Sequence, residues 1–114
     1  MIRHTVVFTL AHEPGSAAEQ AFLADGARLL AGIPGVREFA VSRQVSPKSD
    51  FAWQFSMAFA DQRAYDAYDA HPVHRAFVAE RWQTEVARFQ EFDFVDAAPG
   101  EQSGVPDTPD APAE

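Results

Sequence analysis

Between residues 51 and 60 every second side chain is large and apolar. Phe51, Trp53, Phe55, Met57 and Phe59 alternate with Ala52, Gln54, Ser56, Ala58 and Ala60. A period of two marks a β-strand with one buried face. A chain carrying it must build a sheet with one aromatic face and one face of small or semi-polar residues. Residues 2–10 repeat the pattern, with Ile2, His4, Val6, Phe8 and Leu10 on one side and Arg3, Thr5, Val7 and Thr9 on the other.

The segments between are helical or turn-forming. Pro14-Gly15 marks a turn, and Ser16 followed three residues later by Glu19 fits a capping box. A helix is expected from there to about residue 31, with Phe22, Leu29, Leu30 and Ile33 on its apolar side. Gly26 weakens its middle by up to about 1 kcal/mol relative to alanine. Pro34-Gly35 stops it. A strand follows over 36–45, and residues 46–50 form a polar loop. Asp61 caps a short helix carrying Tyr65 and Tyr68. Pro72 opens a longer helix to about residue 88, and residues 89–95 close as a fourth strand. The order β-α-β-β-α-α-β is α+β and ferredoxin-like, a four-stranded antiparallel sheet with helices on one face. The aromatic face should meet the helices, leaving the other face flat enough to pack on a second sheet.

With 114 residues, 46% of them apolar, the chain has room for one domain and little more. That domain is assigned to residues 1–96. Residues 97–114 hold four prolines, two glycines and four acidic side chains without a basic one, and are expected to form a disordered acidic Pro-rich tail. The tail accounts for half of the net charge of −8. The remaining body is only mildly acidic and offers no phosphate-tracking basic stripe, which argues against nucleic-acid binding. There is no cysteine, so disulfides and thiolate chemistry are excluded. The first residues are too short and interrupted for a signal or a membrane span, so a cytoplasmic, membrane-free protein is expected.

The chemistry concentrates in Tyr68-Asp69-Ala70-His71-Pro72-Val73-His74. Proline breaks one helix and starts the next, which can turn Tyr68 and His74 into one hollow. Near a helix start the dipole favours neutral imidazole at His74, the form a general base needs. Tyr68 can donate to a developing enolate oxygen. The bland alternatives are that Tyr68 is an amphipathic core ring and that His74 fixes the helix corner to the sheet. His4, between Ile2 and Val6, reads first as a hydrogen-bonded core residue and second as a substrate contact. His71 is expected to cap the second helix. A His71/His74 metal site is disfavoured because Pro72 disturbs their alignment and no carboxylate stands at ligand spacing.

Arg3-His4-Thr5-Val6-Val7-Phe8, Ile33-Pro34-Gly35-Val36, the segment 65–74 and Phe92-Asp93-Phe94 together resemble the stress-responsive A/B barrel (Dabb) family of the dimeric α+β barrel superfamily. The resemblance implies a homodimer joined sheet to sheet. It also implies a relation to a plant polyketide cyclase of the family, which closes a poly-β-keto chain by aldol condensation. That enzyme's tyrosine and histidine fall on Tyr68 and His74, and a histidine on its first strand falls on His4. The 46–50 loop is shorter than the cyclase's, and the polar tail has no counterpart.

The resulting expectation is a small-molecule pocket between helices and sheet. Tyr68 and His74 are its catalytic pair; His4, Phe8, Phe22, Phe55, Phe77 and Trp82 are its substrate-binding walls. His74 would remove a proton α to a carbonyl while Tyr68 polarises the oxygen, as in a cyclase, isomerase or lyase needing no cofactor and no metal. Its ligand would be a small apolar carbonyl compound. The rival is a non-enzymatic homodimer serving stress tolerance or ligand binding. A third reading, monooxygenase-like or haem-binding, requires a wide pocket, which the bulk of Trp53, Phe55, Phe77 and Trp82 opposes.

Overall fold

The computed structural model describes residues 1–98. Of the expected tail, residues 99–114 lie outside the described part. Four strands form one sheet in the order β2-β3-β1-β4: β1 (Ile2–Leu10), β2 (Arg37–Arg43), β3 (Trp53–Phe59) and β4 (Val86–Phe94). Every neighbouring pair is antiparallel, which is the ferredoxin-like arrangement. Helix α1 (Ala17–Ala31) joins β1 to β2; α2 (Gln62–Ala70) and α3 (Pro72–Phe77) follow β3.

Local chemistry explains the boundaries. Ser16 Oγ accepts the Glu19 amide at 3.2 Å, while the Glu19 carboxylate reaches back to the Gly15 amide at 2.7 Å, one residue beyond the usual capping box. The other Glu19 oxygen accepts the Trp53 indole N–H at 3.0 Å, tying the start of α1 to β3. Past α1 the chain turns at Gly35, whose φ of +92° suits glycine. Asp61 caps α2 by accepting the Ala64 amide at 2.9 Å. His71 does cap α3: its Nδ1 accepts the Val73 amide at 3.1 Å ahead of Pro72 in the first turn.

Two boundaries differ from expectation. Strand β2 is shorter than 36–45 and its pairing slips between Arg37 and Ala40, where Glu38 adopts φ +55°. That is bulge geometry, which frees the edge strand early. The third helix does not reach residue 88. It widens into a π turn at Val78–Trp82, continues as α4 (Gln83–Glu85), and yields to β4 at Val86. Pairing with β1 decides this end, because Leu10 and Thr9 find their partners in Val86 and Arg88. Arg81 anchors the π turn to α1, holding Asp25 at 2.8 Å and lying over the Phe22 ring.

The core lies between the sheet and the helices, with Phe8, Phe22, Phe55 and Phe59 fully buried. The opposite sheet face carries Thr5, Gln54 and Ser56, as the alternation predicts, and Gln54 donates to Thr5 Oγ1 at 3.1 Å. It is less bland than expected. Phe92 pairs with Thr5 and Phe94 with Arg3 on that same face, and both phenyl rings are exposed.

Candidate functional site

Tyr65 and Tyr68 stand three apart on α2 and so share a helix face, yet they meet different surroundings. The Tyr65 hydroxyl is 2.7 Å from His4 Nδ1 and 2.8 and 3.1 Å from the two Asp93 oxygens. His4 Nδ1 is itself 2.7 Å from Asp93 Oδ1. One carboxylate therefore accepts from both the His4 Nδ1–H and the Tyr65 O–H, leaving His4 Nε2 as the ring nitrogen without a described protein partner. Burial first, then the Asp93 hydrogen bond and charge, raises Tyr65 far above the ordinary phenol value. Asp93 lies directly opposite His4 in the β1–β4 register.

Tyr68 is also buried, but its hydroxyl has no protein partner among the described residues. No enclosed polar side-chain atom there is left unsatisfied, so this hydroxyl opens onto space. The space is a cavity of about 230 Å³. At one end stand His4, Tyr68, Asp69, His74 and Glu91. The rest of the wall is apolar: Val6, Phe55, Met57 and Phe89 from the sheet, with Leu30, Phe77, Val78 and Trp82 from the helices. Among the described residues no lysine or arginine lines it.

His74 and Tyr68 meet across the proline corner with ring centroids 4.5 Å apart. His74 Nδ1–H donates to the Asp69 carbonyl at 3.2 Å, which leaves Nε2 as the basic nitrogen. Burial is the leading cause that lowers the His74 pKa, against the raising effect of that carbonyl. The imidazole is thus neutral near pH 7, for a reason beyond the helix dipole. Burial, followed by the charges of Asp69 and Glu91, raises Tyr68, which stays a protonated donor. A neutral base and a neutral acid on one cavity wall can move a proton and stabilise the oxygen it leaves charged.

Of the residues expected here, His4, Phe55, Tyr68, His74, Phe77 and Trp82 reach the cavity, whereas Phe8 and Phe22 do not. Both rings are fully enclosed beneath Trp82, at 5.1 and 6.0 Å from it, and belong to the core. The π turn lays Trp82 over them. Tyr65, Asp69, Phe89, Glu91 and Asp93 are not among the expected site residues. Alternation along β4 puts Phe89, Glu91 and Asp93 on the helix side, a signal that the sequence does carry.

The two tyrosines make a direct comparison. Tyr65→Phe removes the O–H that donates to Asp93 beside the His4 Nδ1–H and is expected to cost about 1–2 kcal/mol, because Asp93 is half exposed. Tyr68→Phe breaks no protein hydrogen bond and should cost no more than about 0.5 kcal/mol. Urea denaturation of the two variants checks this, and equal losses would contradict the network.

The family model for the stress responsive A/B barrel domain, Dabb, matches residues 2–96. The chain belongs to the Dabb family. A Dabb family protein of Mesorhizobium loti, with a ferredoxin-like fold, is 52% identical over 85% of this chain and 97% of its own, with a TM-score of 0.84. At much lower identity the fold recurs in two enzymes. A hydroxynitrile lyase of Passiflora edulis is 15% identical, with TM-score 0.73 over 84% of this chain and 93% of its own. SnoaB, a cofactor-independent oxygenase of Streptomyces nogalater, is 18% identical, with TM-score 0.66 over 85% and 93%. No curated protein matches the chain. These likenesses to enzymes speak for the Dabb fold and leave the chemistry to the site.

Proposed function

We propose that this Dabb protein is a cofactor-independent acid–base catalyst acting on a small uncharged carbonyl compound. The observation that carries the reading is the convergence of a neutral His74 and a protonated, unpartnered Tyr68 on one cavity with an apolar far end. His74 Nε2 takes a proton from the carbon α to the carbonyl, and the electron pair moves onto the carbonyl oxygen. The Tyr68 hydroxyl donates to that oxygen as its charge grows. Delivery of the proton to a different atom of the enolate completes an isomerase step. Attack of the α-carbon on a second carbonyl of the same molecule, whose oxygen takes the proton from His74, completes a cyclase step. Loss of a leaving group from the β-carbon, protonated by His74 as it departs, completes a lyase step. Uncharged ligands are favoured because the cavity presents Asp69 and Glu91 and, among the described residues, no lysine or arginine. At about 230 Å³ it falls below the ~300–1,000 Å³ of common ligand pockets, which suits a single-ring compound and disfavours haem.

The test is exchange of the α-protons of phenylacetone in D2O, followed by proton NMR. The protein should accelerate exchange, and His74→Asn should remove the acceleration. No acceleration by the wild type with phenylacetone or a panel of similar ketones would refute the reading. His74 also pins the corner through the Asp69 carbonyl, which favours the non-enzymatic ligand-binding reading as the second choice. That reading predicts saturable ketone binding without exchange.

The homodimer belongs to the same proposal. A closed barrel needs about eight strands for its interior to fill with side chains, and the described residues supply four. A second copy laid on the exposed sheet face would complete the barrel and cover Phe92 and Phe94, which stack at 6.0 Å. Light scattering should give a dimer for the wild type and a monomer for Phe92→Asp. A monomeric wild type at micromolar concentration would refute the pairing.

A further inference from the structure

Gly26 sits buried in the middle of α1, with no left-handed backbone angle to require a glycine. Its helix cost of up to about 1 kcal/mol relative to alanine calls for another reason. The reason is the space its side chain would fill. A Cβ at this position would lie 2.7 Å from Phe55 Cζ, 2.9 Å from Phe55 Cε2 and 3.3 Å from Phe77 Cζ. The first two distances are inside van der Waals contact, so something would have to move.

Phe55 and Phe77 are the same two rings that wall the apolar end of the cavity. On its other sides Phe55 is hemmed in by Phe8 at 4.8 Å, Phe39 at 5.4 Å and Phe22 at 6.2 Å. In a close-packed interior a displaced ring goes to the nearest void, and here that void is the cavity. We propose that Gly26 sets the depth of the cavity, and so the size of ligand it admits, by letting Phe55 and Phe77 lean back against α1. Side-chain volume at position 26 is traded directly against ligand volume. The inference rests on the proposed function only in taking the cavity as the ligand site; it holds equally for a catalyst or a binding protein.

Xenon and p-xylene serve as probes because both enter apolar cavities without chemistry. Crystals of the wild type under xenon pressure should show the gas between Phe55, Phe77 and Trp82. Gly26→Ala should lose it, with both rings shifted toward His74, and should bind p-xylene at least tenfold more weakly in NMR titration. Gly26→Ala/Phe55→Leu should recover both signals. A Gly26→Ala crystal with xenon retained, the rings in place and α1 moved outward would overturn the proposal. Should Gly26→Ala alone fail to fold, the double variant decides. Folding with xenon bound supports the proposal, and continued failure to fold overturns it. Neither result bears on deuterium exchange, so the two proposals fail separately.

Discussion

His74→Asn is expected to lower protein-catalysed α-proton exchange by about 10²- to 10⁴-fold, the usual worth of a positioned general base. Asparagine is the informative replacement because its side-chain amide can still donate to the Asp69 carbonyl, as His74 Nδ1 does at 3.2 Å. The corner then stays pinned while the basic Nε2 is lost. A structural role for His74 would leave exchange in this variant close to the wild-type rate, so exchange decides where stability alone would not. The pH profile supplies a second check. Since burial lowers the His74 pKa, exchange should rise with pH through an inflection below the ordinary value of about 6.5 and then level off.

The same shift has a consequence for stability. His74 binds its proton less readily in the folded chain than in the unfolded chain, so acid favours unfolding. Its contribution is intact above about pH 6.5 and is lost as pH falls through the depressed folded value. His74→Asn should therefore flatten the dependence of the thermal midpoint on pH in that window. An unchanged slope would mean that other groups carry it.

Much of the fold is legible because its signals are local. The alternation over β3, the Ser16 and Asp61 caps and the Pro72 restart each depend on a few neighbouring residues, and each has its structural counterpart. The end of the last helix is not local. Residues 86–88 read as helix until β1 offers Leu10 and Thr9 as partners. The site divides in the same way. Tyr68 and His74 meet because a proline stands between them in sequence. His4 and Asp93 meet through strand register, which alternation fixes only to within two residues, and Tyr65 joins them from α2. Alternation also gave Phe8 the same face as His4, and helix periodicity gave Phe22 an inward one, without saying which would border a void. That outcome depends on the π turn over Val78–Trp82, which swings Trp82 across both phenyl rings.

Phe22→Ala is the variant that separates core from site most sharply. Its ring lies parallel to Phe55 at 6.2 Å and within 6 Å of Phe8, Phe77 and Trp82, with the Arg81 guanidinium 5.8 Å above it. Truncating such a phenylalanine costs about 3–5 kcal/mol, part lost transfer energy and part the hole that packing cannot close. That is a large share of the ~5–15 kcal/mol that holds a small domain together. The variant should denature at much lower urea, and Phe22→Leu should lose distinctly less because most of the volume stays. Ketone binding, measured under conditions where Phe22→Leu is fully folded, should remain within about threefold of wild type, since the ring supports the cavity wall from behind and is not itself part of its lining. A ligand-contacting Phe22 would do the reverse, weakening binding while leaving denaturation near wild type. The stability loss then marks the aromatic layer beneath Trp82 as the floor on which the cavity is built.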